Sequence, residues 1–428
     1  MKESGVEWIG KIPKDWEVRR MRNIGVFTSS GINKLINPEE PLVKIINYTD
    51  VYGNESLILS NKDYMVVSAK EEQIKKNLVK EGDLIFTPSS ETIEDIGVSA
   101  LVDEDLPNTS FSYHVLRFEF KEDIYKNFKK YLCNNEYVQN IFSSRATGSI
   151  RKTLNRNDFK DLKVLIPPIK EQQKIADFLD NKLSEIIKIK AYTKQSIEEL
   201  KKYKQSIITE AVTKGLDSNI KTKDSGIDWI GKVPTSWTLS KVNRLFSIKK
   251  EIANKTGYDV LSVTQRGLKV KDITQNEGQM AADYSKYQIV QPDDFVMNHM
   301  DLLTGWVDLA LQEGVTSPDY RVFYNKQKEL VFNPFYLYVF QVCYLNKIFY
   351  GLGQGVSNMG RWRLQSDKFL NFYLPLPPIK EQKEIVFYLN AQIKKVDSLI
   401  QDKEQSIEEL EKHKKSLIYE YVTGKKEA

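Results

Sequence analysis

The sequence predicts an α+β protein in which two α/β domains are separated by two long helices that form an antiparallel coiled coil. The first observation is length, because 428 residues are too many for one ordinary core. The second is an internal repeat, which indicates a pseudo-two-fold arrangement. The third is that each copy contains more than forty consecutive residues without proline or glycine, which is typical of a long helix.

The repeat is clearest where VLIPPIKEQQKIADFLD at residues 164–180 returns as LPLPPIKEQKEIVFYLN at residues 374–390, an offset of 210. SIEEL recurs at the same offset. Each copy opens on a similar segment, SGVEWIGKIPKDWEV from Ser4 and SGIDWIGKVPTSWTL from Ser225, at an offset of 221. The sequences between these matching ends differ widely. The chain therefore reads as a duplicated frame that holds two divergent inserts.

The inserts combine strand and helix patterns, which predicts α/β domains at residues 1–165 and 233–375. Short β-like runs are GDLIFT (82–87), VSALV (98–102), DDFVM (293–297) and WVDLAL (306–311). Alternation of apolar and polar residues predicts further strands in FSYHVLRFEF (111–120) and DYRVFYN (319–325). A helical stretch follows each of these, near residues 124–142 and 334–350.

Long helices are predicted over residues 166–214 and 376–424. Pro168 and Pro378 stand where a helix start tolerates the missing N–H, and they prevent a helix from running in from upstream. Glu171 and Glu381 then lie near the positive end of the helix dipole. At 1.5 Å per residue each helix would extend about 65 Å.

Apolar residues recur at alternating steps of three and four along both helices, the spacing typical of a coiled-coil seam. The seam comprises Leu179, Leu183, Ile186, Ile197, Leu200 and Ile207, and in the second helix Leu389, Ile393, Val396, Ile400, Ile407, Leu410 and Leu417. Lysines such as Lys190, Lys204 and Lys414 interrupt it, so we expect imperfect contact. We favour pairing of the two helices within the chain over pairing with another subunit. A polar segment at residues 215–232 is the predicted linker.

Composition excludes several classes of site and leaves the partner open. Two cysteines without a C-x-x-C pair and three scattered histidines predict no disulfide framework and no metal site. The N-terminus lacks the apolar region of a secretory signal, and no apolar run is long enough for a bilayer, so we expect a cytoplasmic protein. A net charge of +5 permits nucleic acid as a partner without requiring it.

Two stretches have partial likeness to catalytic motifs. Asn333-Pro334-Phe335-Tyr336 resembles the Asn-Pro-Pro-aromatic element of amino-methyltransferases but lacks the second proline. We interpret Asn333 as a helix N-cap, with Asp123 capping the corresponding helix of the first copy. GLGQGVSN (351–358) follows a helical stretch rather than a strand, so it does not predict a dinucleotide or methyl-donor loop. We therefore expect no catalytic residue and no cofactor in this chain.

A basic, glycine-bearing stretch precedes each proline pair, SSRATGSIRKTLNRNDF (143–159) and GQGVSNMGRWRLQSDKF (353–369). Arginine, lysine, serine and asparagine side chains can reach phosphates or base edges. The candidates for DNA contact are Arg145, Ser149, Arg151, Lys152, Arg156, Asn358, Arg361 and Arg363. A solvated loop whose arginines pack on the frame remains an alternative.

The two PPIKEQ helix starts, the two WIG…P…W openings and the divergent inserts together resemble the specificity subunit of type I restriction–modification enzymes. The resemblance covers nearly the whole chain. It implies that each insert is a target recognition domain reading one half of a bipartite site in double-stranded DNA. It also implies that the helices act as a spacer and bind two modification subunits.

The same resemblance places the chemistry on other subunits of the complex. Modification subunits would carry S-adenosylmethionine for adenine methylation, and restriction subunits would use ATP and magnesium for translocation and cleavage. This chain would then be a non-catalytic DNA-recognition subunit. A stand-alone DNA methyltransferase and a protein–protein scaffold remain as alternative functions.

Overall fold

The computed structural model describes residues 1–6, 9–54, 56–58, 63–272, 283–354 and 362–428. The chain divides into two compact units. The first unit comprises Met1–Thr193 and Glu404–Ala428, and the second comprises Lys194–Lys403. Each unit therefore contains one insert, the beginning of the long helix that follows it and the end of the other long helix.

Among the described residues, the first unit contains many short strands, six short helices and the start of a long helix that continues beyond it. Its strands are β1 (Lys2–Glu3), β2 (Lys11–Ile12), β3 (Glu17–Arg20), β4 (Gly25–Thr28), β5 (Leu42–Ile46), β6 (Ser56–Leu57), β7 (Met65–Ser68), β8 (Leu84–Phe86), β9 (Ser89–Ser90), β10 (Ser99–Val102), β11 (Thr109–Phe111), β12 (Leu116–Phe120), β13 (Lys152–Thr153) and β14 (Lys163–Ile166). Its helices are α1 (Met21–Ile24), α2 (Tyr48–Val51), α3 (Glu71–Asn77), α4 (Lys126–Cys133), α5 (Glu136–Arg145), α6 (Arg156–Lys160) and α7 (Ile169–Lys214).

Two sheets organise the first insert. The larger has the strand order β4-β12-β8-β10-β6, and the smaller has the order β11-β5-β7, with β11 and β5 parallel. One core, which includes Phe86, Phe118, Phe128 and Phe142, lies between the larger sheet and the helices that follow it. Helix α7 contributes to this core through Leu179 and other apolar residues.

One strand prediction in this insert is wrong in its extent. FSYHVLRFEF is not a single strand, because β11 ends at Phe111 and β12 begins at Leu116. A turn closed by the hydrogen bond from Val115 N–H to the Ser112 carbonyl, 3.3 Å, separates them. The two strands belong to different sheets. Alternating hydrophobicity continues through the turn, so the pattern alone does not reveal the change of sheet.

The second unit has a corresponding set of elements. Its strands are β15 (Thr222–Asp224), β16 (Lys232–Pro234), β17 (Thr238–Lys241), β18 (Phe246–Lys249), β19 (Val260–Thr264), β20 (Gly267–Val270), β21 (Gln288–Val290), β22 (Phe295–Met297), β23 (Val307–Leu309), β24 (Gly314–Thr316), β25 (Arg321–Asn325) and β26 (Tyr373–Leu376). Its helices are α8 (Val242–Leu245), a 3-10 turn (Tyr284–Lys286), α9 (Asn333–Leu345), α10 (Ile348–Leu352), α11 (Ser366–Leu370) and α12 (Ile379–Val422).

The sheets of the second insert have the orders β18-β25-β22-β23 and β20-β19-β24-β21. The parallel pairing of β19 with β24 matches that of β5 with β11. Strand β26 pairs with β17 as β14 pairs with β3, so each insert begins and ends on neighbouring strands. This arrangement explains why the duplicated frame is written at both ends of each insert.

The interpretation of Asn333 and Asp123 as N-caps is wrong. Asn333 is the first helical residue of α9, and its side-chain amide donates to the Asp293 carbonyl at 3.2 Å. Helix α4 begins at Lys126, so Asp123 lies too early to cap it. The two helix starts are separated by 333 − 126 = 207 positions rather than 210. The two inserts therefore differ slightly in length between the preceding strand and this helix. For that reason an offset of 210 does not align the two helix starts.

The two long helices begin immediately after the paired prolines, as predicted. The carbonyl of Pro168 accepts from the N–H groups of Glu171 and Gln172, and the carbonyl of Pro378 accepts from that of Gln382. The indole N–H of Trp16 donates to the Glu171 carboxylate at 2.9 Å. This bond attaches the opening tryptophan segment of the first copy to the start of its helix. Trp8 of that segment lies outside the described residues.

Within each unit the segments of the two long helices run antiparallel. In the first unit the rings of Phe178 and Tyr421 lie 4.4 Å apart between centroids, and Lys190 forms an ion pair with Glu411. In the second unit Lys204 Nζ lies 2.7 Å from the Asp397 carboxylate. From Phe178 to Lys204 the residue numbers on α7 increase, while those of their partners on α12 decrease from Tyr421 to Asp397. The two helices therefore run antiparallel.

Candidate nucleic-acid interface

The first basic stretch forms a tight loop over residues 147–153. Thr147 and Thr153 exchange backbone hydrogen bonds of 3.0 and 2.8 Å, which close the loop. Strand β13 pairs with β9, with Lys152 opposite Ser90. Gly148 has φ of +106°, and a Cβ there would lie 2.2 Å from the Arg151 carbonyl oxygen. Only glycine fits this position, so the shape of the 147–153 loop is encoded locally.

The tip of this loop presents an apolar and a cationic side chain side by side. Ile150 is 92% exposed. Arg151 Nε donates to Ser89 Oγ at 3.2 Å, and its guanidinium carbon lies 5.8 Å from the centroid of the Tyr48 ring. Within the part of the chain that the structure describes, no acceptor is bonded to the two Nη atoms. A guanidinium oriented in this way can present its paired donors to guanine O6 and N7 or to a phosphate.

The other basic candidates of this stretch donate to backbone carbonyls of the first unit. Arg145 bonds Asp158 O at 3.0 Å, Lys152 bonds Gly148 O at 2.8 Å, and Arg156 bonds Phe27 O. These bonds hold the base and the tip of the loop, which agrees with the alternative that arginines pack on the frame. Arg145, Arg156 and Ser149 remain exposed. Their side chains are therefore available to solvent as well as shaping the loop.

Further groups near the loop come from distant parts of the sequence. His114 has a lowered pKa because of burial first, and then because of the positive charges of Lys34 and Arg151. Its neighbour Tyr113 is 49% exposed. Sequence reasoning missed Lys34, Tyr48 and Ser89 along with these two residues. They come from four separate segments, and no local pattern marks them as neighbours.

The second basic stretch is described only in part. Asn358 and Arg361 lie outside the described residues. Gln354 and Arg363 exchange two backbone hydrogen bonds of 3.1 Å, in the way that Thr147 and Thr153 do. Arg363 is exposed, and its Nε contacts Met300 Sδ at 2.7 Å. Two of the three candidates in this insert therefore lie outside the described residues, and the third, Arg363, pairs with Gln354.

Beneath this stretch lie a buried arginine and a partly buried histidine. Arg321 is 3% exposed, donates to the Leu364 carbonyl at 2.8 Å and lies 4.7 Å from the Phe369 ring centroid. Burial lowers its pKa to about 10. Burial and the charges of Arg321 and Arg363 lower the pKa of His299 to about 3. His299 is therefore neutral near pH 7, and its carbonyl accepts from Leu364 N–H at 2.9 Å.

The second unit also has a cleft of about 590 Å³ beside Met300. Its lining is mixed, with aromatic residues such as Tyr287 and Tyr320 and polar or charged residues such as Lys269, Asn298 and Asp301. No group of three or more histidine, cysteine, aspartate or glutamate side chains with metal-binding geometry occurs among the described residues. Both cysteines are buried as free thiols, and burial raises the pKa of each.

The seam residues all lie on covered faces of α7 and α12. Seven are buried: Leu179, Leu183, Ile186, Ile197, Leu389, Val396 and Leu417. Six are half-buried: Leu200, Ile207, Ile393, Ile400, Ile407 and Leu410. Lys190 and Lys204, which interrupt the apolar spacing, form the two interhelical ion pairs given above. At these two positions an ion pair stands in place of an apolar seam contact.

No helix in the described ranges has an apolar stretch sufficient to cross a bilayer.

Comparison with known proteins gives a family match over most of the chain. The model of the type I restriction modification DNA specificity domain matches residues 13–199 and again residues 238–409. Each match begins in the opening segment of one copy and ends within its long helix. The duplication found in the sequence thus corresponds to two copies of one known domain.

Individual relatives and solved structures agree with this match. The chain is 27% identical to the putative type I restriction enzyme MjaX specificity subunit of Methanocaldococcus jannaschii, covering 97% of this chain and 95% of that protein. It is 24% identical to the type I restriction enzyme EcoKI specificity subunit of Escherichia coli over 47% of this chain and 44% of that protein.

Among solved structures, the HsdS subunit of Thermoanaerobacter tengcongensis has a TM-score of 0.54 at 14% identity, covering 97% of this chain and 98% of that one. A chain from a structure described by the complex assembly and conformational transition of the type I R-M system has a TM-score of 0.68 at 14% identity. That likeness covers 96% of this chain and 98% of the other. At these identities the two structures support the same fold.

Proposed function

The chain belongs to the family of type I restriction–modification DNA specificity subunits, and on that premise we propose that its two inserts are target recognition domains, each reading one half of a bipartite DNA site. The observation that carries this proposal is a repeated contact. The side-chain oxygens of Gln172 and Gln382 accept from the N–H groups of Tyr125 and Phe332, at 2.9 and 2.8 Å. The frame thus holds two different inserts in the same way, as a pair of interchangeable readers requires.

The proposal assigns each part of the chain to a recognition domain, a spacer helix or the linker. Residues 1–165 and 233–375 are the two target recognition domains, residues 166–214 and 376–424 the spacer helices, and residues 215–232 the linker. The helices, at 46 and 44 residues, are about 69 and 66 Å long at 1.5 Å per residue. Half-sites on one face of B-DNA lie roughly 34 to 36 Å apart, so helices of this length suffice as a spacer between the readers.

The same proposal assigns the chemistry to partners. Two modification subunits, docked on the helices, would methylate adenines with S-adenosylmethionine, and restriction subunits would use ATP and magnesium. This chain would itself be non-catalytic and would act in the cytoplasm, where the DNA and these partners are found.

We further propose that the basic stretches are the DNA-contacting segments. Arg151 would read a base edge, because Ser89 and Tyr48 orient its guanidinium. Arg145, Lys152 and Arg156, whose side chains also hold the loop, would contact phosphates. Ser149, and in the second insert Asn358, Arg361 and Arg363, complete the proposed set.

Methylation mapping tests the proposal directly. Modified adenines would be located across the genome in cells that express the modification subunit with and without this chain. The expected result is a bipartite motif that disappears when this chain is absent. Deleting seven residues from each of the helices α7 and α12 should change the number of base pairs between the two half-sites. The sequences of the half-sites themselves should stay the same. Methylation by this chain without a modification subunit would instead indicate a stand-alone methyltransferase, and no motif at all would favour a scaffold.

A further inference from the structure

We propose that the 147–153 loop enters the major groove of the half-site read by the first unit and that Ile150 there contacts the C5-methyl group of a thymine. The inference rests on the proposed DNA-reading function and names the chemical group that one residue recognises. It predicts that this half-site contains at least one A·T pair.

The exposure of Ile150 is informative because backbone contacts hold the surrounding loop in a defined conformation. A single exposed apolar side chain needs no explanation on its own. Leu311 is also 92% exposed, but it lies in a turn of the second unit beside Gln312 and Glu313. Ile150 differs because the Thr147–Thr153 bridge and the left-handed Gly148 fix its backbone. The loop therefore presents Ile150 in one position and does not bury it within the protein.

The width of the loop selects the groove. A single antiparallel bridge between Thr147 and Thr153 brings two backbone segments side by side at the base of the loop, and Lys152 and Thr153 also pair with β9. A two-stranded ribbon fits the major groove of B-DNA, which is about 12 Å wide, but not the minor groove, which is about 6 Å wide. Apolar side chains that act as wedges between base steps insert from the minor groove. A loop of this width therefore brings Ile150 to base edges rather than between stacked bases.

In the major groove, an isoleucine has one natural partner. The thymine methyl is the apolar group that base edges present there, whereas the other edges carry hydrogen-bond donors and acceptors. Arg151 is the next residue, and Ser89 and Tyr48 hold its guanidinium. It would contact a neighbouring base edge or phosphate.

The test measures binding of the full specificity–modification complex to duplexes that carry its methylation motif. Each thymine of the motif is replaced singly by deoxyuridine, which removes only the methyl group. We expect one such replacement to weaken binding about fourfold, the amount that corresponds to one buried methyl-sized group. The Ile150→Ala variant should bind the unmodified duplex about fourfold or more weakly and should no longer respond to that replacement. Leu311→Ala, equally exposed in the wild type, should behave as the wild type does.

The outcomes separate this inference from the function on which it rests. A complex that binds its motif specifically, but responds to no deoxyuridine replacement, overturns the thymine contact and leaves the function standing. Independent losses from Ile150→Ala and from deoxyuridine, which multiply in the combination, also overturn it. The thymine contact is also overturned if the half-site whose recognition depends on the 147–153 loop contains no A·T pair. Failure of the wild-type complex to prefer any sequence overturns both proposals.

Discussion

The side-chain amide of Gln172 joins the start of a long helix to the start of a helix in the insert, because its oxygen accepts from Tyr125 N–H at 2.9 Å. Its nitrogen donates to the Pro167 carbonyl at 2.8 Å. Gln382 repeats both contacts, with Phe332 and Pro377, and adds a bond to the Leu330 carbonyl. Tyr125 and Phe332 are the residues that precede α4 and α9. The repeated glutamine thus satisfies backbone groups at both helix starts.

Gln382→Ala should therefore destabilise the second unit. The substitution leaves the Phe332 N–H and two carbonyl oxygens without their partner in a buried site, which costs about 1 to 3 kcal/mol of unfolding free energy. Denaturant unfolding followed by hydrogen exchange of peptides around residues 330–345 would measure the loss. In the first unit, Gln172→Ala can be compared with Gln173→Ala, since Gln173 is exposed on the same helix turn. Equal stability of these last two variants would show that the amide has no structural role.

The interhelical ion pair of the second unit gives a second prediction. Lys204→Asp places two carboxylates opposite each other, and we expect a loss of about 0.5 to 1 kcal/mol in low salt, because exposed pairs contribute little more than this. Lys204→Asp combined with Asp397→Lys should recover most of the loss. Lys202→Asp, at an exposed position nearby, serves as the control. The differences should shrink in 1 M salt, and a loss that salt does not reduce would exclude an electrostatic origin.

The frame could be predicted from the sequence because its signals are local. Paired prolines mark the helix starts at Ile169 and Ile379, and the absence of helix breakers gives their length. Apolar spacing identified a seam whose residues lie on covered faces. Most β-like runs also correspond to strands, since strand period and burial agree in these sheets.

The candidate interface was predicted only in part, because its geometry depends on long-range contacts. Arg151 was a candidate from its composition, but its partners Ser89 and Tyr48 lie 62 and 103 positions earlier. Similarly, Lys190 and Lys204 read as interruptions of a seam until their partners on the other helix were known. Charge complementarity between segments more than 190 positions apart leaves no local pattern in one sequence.

Loop geometry gives a third prediction. Gly148→Ala should weaken specific DNA binding by the complex at least tenfold while costing no more than about 1 to 3 kcal/mol of unfolding free energy. The added Cβ would lie 2.2 Å from the Arg151 carbonyl oxygen, so the loop must change shape, but the loop is exposed and buries little apolar surface. Gly351→Ala, where a Cβ meets nothing within 4 Å, is the control for both measurements. Unchanged DNA affinity in Gly148→Ala would separate loop shape from recognition.

A fourth prediction concerns pH, and it follows from the lowered pKa of His299. In the folded protein this pKa is about 3, because of burial and of the charges on Arg321 and Arg363, whereas an unfolded histidine titrates near 6.5. Between these values the unfolded chain binds a proton that the folded chain does not, so the free energy of unfolding rises with pH. The contribution of His299 is complete above pH 6.5 and decreases by up to about 1.4 kcal/mol per pH unit as the pH falls toward 3.

We therefore expect the second unit to lose about 1.4 kcal/mol of unfolding free energy between pH 7.5 and pH 5.5 through this residue alone. Other groups also titrate in this range, so the informative quantity is the difference between wild type and His299→Gln at each pH. Hydrogen exchange of peptides covering β22 and β25, which flank His299 and contain Arg321, reports the opening of this unit. The unfolding free energy of the wild type minus that of His299→Gln should fall by about 1.4 kcal/mol on acidification, whatever its value at pH 7.5, because glutamine does not titrate. His413→Gln removes an exposed histidine and should keep the wild-type pH dependence. A difference for His299→Gln that stays constant with pH would mean that the folded protein protonates this histidine as readily as the unfolded chain does.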